Sequence, residues 1–168
     1  MKSLIFLLLL SFNLSLAQTQ DEINLRRLAN EYTSLLNSAG KEEQLYKMFC
    51  GDVQVSGIFT QRSFAKRRER IPDVSQIYTQ DYKTFISGFK KYQSENKTDH
   101  VKIMTDGEIA SVVSDYSCFY KDVMEHWGKE ILTFVKINDE WKISAITFSV
   151  ELAHHFKQPS LQERTKKQ

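Results

Sequence analysis

His100 and Asp115 are the two residues whose types and positions best suit acid–base chemistry. An alternating pattern predicts two strands that turn at Asp106-Gly107, and their pairing makes the imidazole and the carboxylate near neighbours. An acid–base pair needs an apolar pocket that shifts the pKa of each group. The predicted register puts both side chains on the outer face of the sheet, whereas a one-residue bulge would swap the faces. Catalysis by this pair therefore stays open.

The remaining histidines and the two cysteines show no metal-site spacing. His126 is predicted in a turn, and the adjacent His154 and His155 would point opposite ways on an extended segment. Cys50 and Cys118 could form one disulfide in an exported protein, but two free, buried cysteines are favoured because a core of this size needs no staple. We therefore predict neither a metal nor a cofactor.

Seven side chains, most of them aromatic, are predicted to meet over the inner face of the sheet. Such a lining suits a flat apolar ligand that phenol groups fix by one or two hydrogen bonds. The same rings could instead fill the core, as aromatic stripes usually do. The predicted ligand-binding residues are Tyr32, Phe85, Phe89, Tyr116, Cys118, Tyr120 and Trp141.

Two hairpins supply the predicted sheet. The first turns at Asp106-Gly107, pairs Ile103 with Ala110, and keeps its core residues on one face. The second turns near Asn138-Asp139, and its core face would carry Leu132, Phe134, Trp141, Ile143 and Ala145. Its opposite face is apolar too, which predicts a homodimer through the outer face of the sheet. The residues of that outer patch are Ile131, Val135, Ile146 and Phe148.

Three helices and a short strand are predicted before the hairpins. Apolar residues at three- and four-residue steps indicate helices over 21–40 and 41–49, and a third that begins with Thr79 or Asp81 as its cap. A strand is predicted at 52–56. The basic segment 61–70 is interpreted as a solvated loop or short helix, although its arginines could hold an acidic or phosphate-bearing partner.

The N-terminal 17 residues have the pattern of a secretory signal peptide, with one lysine, an apolar run and small residues at Ser15 and Ala17. The run is too short to span a bilayer, so we predict an exported, periplasmic or secreted protein without a membrane span after cleavage. Removing Lys2 changes the net charge from +2 to +1, which gives no reason to expect nucleic-acid binding. Residues 18–157 would form one domain and residues 158–168 a polar tail.

The order of these elements and three short motifs resemble the nuclear transport factor 2-like superfamily, also called SnoaL-like. The motifs are LYKMFCGDVQVSG at 45–57, DGEIA at 106–110 and NDEWKI at 138–143. The resemblance implies an α+β fold, with a cone-like, strongly bent and mostly antiparallel sheet covered by three N-terminal helices. It covers residues 21–152.

The resemblance leaves three kinds of function open. The superfamily contains non-catalytic modules that bind a small ligand in the cone, assembly domains, and isomerases, cyclases and dehydratases. A non-catalytic module with an apolar cone pocket is the preferred interpretation, and catalysis on a small apolar substrate is the alternative. An acid–base pair inside a roomy cavity would favour an enzyme, and a cone filled by side chains would favour assembly.

Overall fold

The computed structural model describes residues 2–165, with side chains for residues 20–160 and 162–164. The whole predicted signal peptide therefore lies outside the described side chains, and so does the end of the polar tail. Cleavage after Ala17 stays a prediction. Within the described residues, no helix is long and apolar enough to cross a membrane.

The described chain folds into helices and one six-stranded sheet. The helices are α1 (Lys2–Asn37), α2 (Glu42–Tyr46), α3 (Gln61–Arg68), α4 (Tyr82–Lys91) and α5 (Leu161–Thr165). The strands are β1 (Gln54–Phe59), β2 (Ile77–Asp81), β3 (Ser94–Thr105), β4 (Ile109–Tyr120), β5 (Val123–Ile137) and β6 (Glu140–Leu152).

The sheet has the strand order β2-β1-β6-β5-β4-β3. Every pairing is antiparallel except that of β1 with β6, which is parallel. Helices α1 and α4 pack against the sheet and cover the buried face. The predicted α+β fold with a mostly antiparallel sheet under N-terminal helices is confirmed.

Helix α4 forms where the apolar spacing predicts it, whereas α1 contains the helix predicted over 21–40 but already begins at Lys2. In α1, Leu25, Tyr32 and Leu36 are fully buried because their spacing puts them on one face. The helix ends at Asn37, shortly before Gly40, which has a positive φ of 69°. Asp81 caps α4, and its carboxylate accepts the backbone N–H of Thr84 at 2.9 Å.

The elements between α1 and α4 differ from prediction. Helix α2 ends at Tyr46 because Phe49 already forms a parallel bridge with Ile143 of β6. Strand β1 begins two residues later than predicted and continues to Phe59, since Val55, Gly57 and Phe59 extend the inward alternation. Strand β2 was not predicted, because it is an edge strand whose side chains are mostly exposed and show no apolar alternation.

The first hairpin has a longer loop than predicted. The Asp106 carboxylate accepts the backbone N–H groups of Glu108 and Ile109, both at 2.9 Å. Thr105 therefore pairs with Ala110, and the register shifts by two residues. A two-residue shift leaves every side chain on its predicted face. Strand β3 also contains a bulge between residues 99 and 102, where His100 has a φ of 50°.

A second bulge changes the faces of β6 and overturns the outer patch predicted for a homodimer. The register of β5 against β6 shifts between Thr133 and Phe134, so that β6 has one extra residue there. As a result Ile146 and Phe148 are 1% and 5% exposed and belong to the core. Ala145 moves away from the predicted core face. Two of the four residues in the predicted outer patch are therefore buried in the core. A homodimer stays a prediction.

Polar contacts tie α1 to the last hairpin. The Asp21 carboxylate accepts from Trp141 Nε1 at 3.0 Å and from Lys136 Nζ at 2.9 Å. Lys136 also lies over the Trp141 ring, 4.8 Å from its centroid. The indole therefore packs the hairpin against α1.

Candidate functional site

A pocket of about 290 Å³ opens between α4 and the inner face of the sheet. Helix α4 supplies one wall. Strands β2 to β6 supply the rest. The lining residues are Tyr78, Gln80, Thr84, Phe85, Gly88, Phe89, Tyr92, Ser94, Asn96, Tyr116, Cys118, His126, Glu130 and Phe148.

Glu130 is the charged residue at the base of this pocket. Strand β5 directs it inward, between Ser114 on β4 and Phe148 on β6, and only 2% of the residue is exposed. No residue that the structure describes makes a hydrogen bond or an ion pair with its carboxyl group. Burial raises the pKa of Glu130 from 4.5 to about 7. Such a carboxyl group is close to half-ionised at neutral pH and is free to exchange a proton with a bound molecule.

Tyr116 and His126 form a second polar group in the pocket. The Tyr116 hydroxyl donates to the carbonyl oxygen of Ser149 at 2.8 Å and lies 3.1 Å from His126 Nδ1. Because the Tyr116 hydroxyl donates its one proton to the Ser149 carbonyl oxygen, His126 Nδ1 must carry a proton and donate it to the Tyr116 oxygen. Burial lowers the pKa of His126 from 6.5 to about 4, so the ring is neutral and its Nε2 is an acceptor.

The carboxyl and imidazole groups have pKa values shifted in opposite directions. An acid whose pKa is raised can serve as a proton donor or as a base near neutral pH, and a neutral imidazole can accept a hydrogen bond. Two titratable groups with perturbed pKa values in one apolar cavity mark a candidate catalytic site.

The apolar wall of the pocket is built from rings in mutual contact. Phe85 of α4 lies 6.2 Å from Phe89 and 5.9 Å from Phe148, measured between ring centroids. The Tyr78 ring lies across β1 at Gly57, where a Cβ atom would overlap it. Burial raises the pKa of Tyr78 to about 12, and its hydroxyl has no hydrogen-bond partner among the described residues. It is therefore a free donor beside the pocket.

Other buried polar atoms near the pocket lack partners within the described part of the chain. Asn96 Oδ1 is one, and Asn96 lines the pocket. The Tyr32 hydroxyl is another. Burial is the main cause that raises the pKa of Tyr32, and the charge of Glu130 is the second cause. Burial raises the pKa of Cys118 to about 11, so its thiol stays protonated and is a poor nucleophile.

Only some of the seven predicted ligand-binding residues lie at the pocket. Phe85, Phe89, Tyr116 and Cys118 line the pocket. The remaining three do not, and each has a physical reason. Tyr32 lies on the buried face of α1 and is completely buried, Trp141 donates its hydrogen bond to Asp21, and Tyr120 is 37% exposed beside the turn that follows β4.

His100 and Asp115 meet, but away from the pocket. Asp115 points to the opposite face from Tyr116, where it binds Lys129 Nζ at 2.6 Å and Arg164 at 3.1 Å. The ligand atoms of Asp99, His100 and Asp115 lie within 4.8 Å of one another. A metal ion there would have to displace two cations, so these residues fit a charge-compensated contact better than a metal site.

Sequence reasoning missed Glu130 and His126. His126 was placed in a turn, but that turn is at Lys121 and Asp122, and His126 lies inside β5. Glu130 was detectable, because it stands two residues before Leu132 and four before Phe134, in phase with the inward face. A carboxylate in that phase is a sign of a site.

Comparisons of the fold find similar solved structures. A nuclear transport factor 2-like protein with a cystatin-like fold from Novosphingobium aromaticivorans has a TM-score of 0.61 and 12% identity, over 92% of this chain and 93% of that one. A candidate scytalone dehydratase from the same organism has a TM-score of 0.60 and 16% identity, over 82% and 89% of the chains. A protein of unknown function with a cystatin-like fold from Nostoc punctiforme has a TM-score of 0.55 and 14% identity, over 79% and 92%.

These similarities show that the chain has the nuclear transport factor 2-like, cystatin-like fold. No family model matches the sequence. No curated protein matches it either. At such identities the structural matches concern the fold alone.

Proposed function

We propose that this protein is an acid–base enzyme that transfers a proton within a small, largely apolar substrate, as an isomerase or a dehydratase does. The observation that carries the proposal is Glu130, a buried carboxyl group without a protein partner in the described chain, whose pKa is about 7 and which faces an aromatic pocket. A structural carboxylate would be paired, as the buried Glu151 is with Arg62 at 2.7 Å.

The arrangement suggests the following steps. The Glu130 carboxylate removes a proton from a carbon next to a carbonyl group, and the electron pair moves to the carbonyl oxygen. The Tyr78 hydroxyl is the free donor that would stabilise this oxyanion. Protonated Glu130 then returns the proton, either to another carbon, which completes an isomerisation, or to a departing hydroxyl group, which completes a dehydration. His126 Nε2 would accept a hydrogen bond from a substrate hydroxyl group.

A solved structure of the same fold is named as a candidate scytalone dehydratase, which makes such chemistry compatible with the fold by analogy.

We further propose that the protein is exported and that residues 1–17 are removed. Sequencing the N-terminus of the protein from culture supernatant or periplasm would test this, and an intact N-terminus at Met1 would refute it.

Hydrogen–deuterium exchange at carbon tests the enzymatic proposal without a known substrate. Small cyclic enones and β-hydroxy ketones would be incubated with the protein in D₂O, and loss of α-proton signals followed by NMR. We expect the parent to accelerate exchange of at least one compound and Glu130→Gln to lose this by roughly 10²–10⁴-fold. Glu108→Gln, an exposed residue in the first hairpin, should retain it.

A non-catalytic ligand-binding module is the second candidate, because six aromatic rings line the pocket, namely those of Tyr78, Phe85, Phe89, Tyr92, Tyr116 and Phe148. Binding of the same compounds without exchange in the parent would support that function and reject the enzyme.

A further inference from the structure

Arg67 of α3 is a half-buried arginine whose guanidinium has no acceptor among the residues that the structure describes. Its Nε atom is buried and has no hydrogen-bond partner there, and the side chain makes no ion pair with any described carboxylate. The guanidinium lies over the Phe59 ring, 4.6 Å from the centroid. A ring face holds a cation in place but does not accept the N–H bonds in the guanidinium plane. Leaving a buried charged donor unsatisfied is unfavourable.

The other basic residues of α3 are used differently. Arg62 pairs with Glu151 at 2.7 Å, and Lys66 pairs with Glu69 at 2.7 Å. Arg68 is exposed and lies 5.7 Å from the centroid of the Phe64 ring. The basic run is therefore not uniformly solvated, and Arg67 is the member that turns toward the protein interior.

Arg67 lines a groove of about 490 Å³ next to the Glu130 pocket. Tyr78 and His126 line both cavities, so the two adjoin at these side chains. Burial raises the pKa of Tyr78 and the Arg67 charge opposes the rise, which places the guanidinium within electrostatic reach of that hydroxyl. Glu125 lies on the exposed side of the groove and forms no ion pair with Arg67 within the described residues.

We propose that Arg67 binds the carboxylate of an elongated, amphipathic acid whose apolar part extends past Tyr78 and His126 into the aromatic pocket. The planar guanidinium fork matches a carboxylate in a bidentate arrangement, which would satisfy the buried Nε. The apolar part would lie against Phe85 and Phe148. This inference builds on the proposed function by naming the substrate class, namely amphipathic carboxylic acids whose apolar part enters the pocket.

Matched acid and amide probes test the inference. A series of ω-phenylalkanoates of graded length and the corresponding primary amides would be titrated into the full chain by calorimetry, with inorganic phosphate alone as a further arm. We expect one chain length of the acid to bind at least about tenfold more tightly than its amide, as one charge-assisted pair allows. Arg67→Gln should remove this preference, and Arg67→Lys should keep part of it. The matched control Arg68→Gln, on the same helix, should leave it unchanged.

Several outcomes would overturn the inference. Equal binding of acid and amide, no binding of either to the parent, or an equal loss in Arg67→Gln and Arg68→Gln would each do so, the last because it indicates unspecific charge. Phosphate binding as tight as that of the best acid would point to a free-anion site instead. Circular dichroism would verify folding, and Arg67→Lys remains informative if Arg67→Gln does not fold. Glu130→Gln should still prefer the acid, so failure of the catalytic proposal can be distinguished.

Discussion

Glu130 and His126 make opposite contributions to stability as the pH changes. The Glu130 pKa is raised from 4.5 to about 7, so between these values the folded protein binds more protons than the unfolded chain and stability falls as pH rises. The His126 pKa is lowered from 6.5 to about 4, so the unfolded chain binds more protons there and stability rises with pH. Between about pH 4.5 and 6.5 the two effects largely cancel.

Glu130→Gln should remove the contribution of Glu130 and leave that of His126. The shift of the Glu130 pKa corresponds to about 3 kcal/mol, so the variant should gain roughly that much stability relative to the parent between about pH 4 and pH 8. Urea unfolding at a series of pH values measures the difference. Glu108→Gln, whose carboxyl group is exposed, should show no such trend. A difference between Glu130→Gln and parent that does not change with pH would contradict the raised pKa.

At the scale of helices and strands, local sequence patterns were sufficient to predict those features that depend on a single element. The α1 stripe, the Asp81 cap and the face of β4 that carries Tyr116 could all be predicted, because each depends on spacing within a few residues. A bulge depends on how a strand fits its neighbours, so the positions of the bulges could not be predicted. The bulge in β6 moved Phe148 from the predicted surface into the pocket wall, and this lining residue was therefore missed.

Two isoleucines provide a direct test of the β6 bulge, because the sequence placed both on the outer face. Ile146→Ala should cost about 2–5 kcal/mol, since the structure buries Ile146 to 1% exposure. Ile131→Ala, at 36% exposure on the neighbouring strand, should cost much less. Chemical unfolding of both variants measures the contrast. Similar small losses would show that β6 keeps the regular register and lacks the bulge.

At the scale of the whole molecule, both ends of the described chain hold the sheet through ionic contacts. Near the start, Asp21 joins α1 to the last hairpin through Lys136. Near the end, Arg164 of α5 crosses the outer face and binds Asp99 and Asp115, each at 3.1 Å. The pocket lies on the inner face, so α5 does not cover it. The outer face around Asp115 is covered by the chain's own C-terminal helix, which leaves less of it available to a second subunit.

Arg164 should therefore matter more for stability than an ordinary surface arginine. Its side chain is 14% exposed and that of Asp115 is 5% exposed, so Arg164→Gln weakens the compensation of a buried carboxylate. Lys129 still binds Asp115, and we expect a loss of about 1–3 kcal/mol rather than the full cost of an unpaired buried charge.

Arg27→Gln is the matched control, because Arg27 pairs with Glu31 within α1 and its side chain is 63% exposed. It should cost about 0.5 kcal/mol or less. Thermal and urea unfolding of both variants would give the comparison. An equally small loss for Arg164→Gln would mean that α5 does not hold the sheet in solution. In that case Asp99 and Asp115 would be open to solvent, and the outer face would again be available to a second subunit.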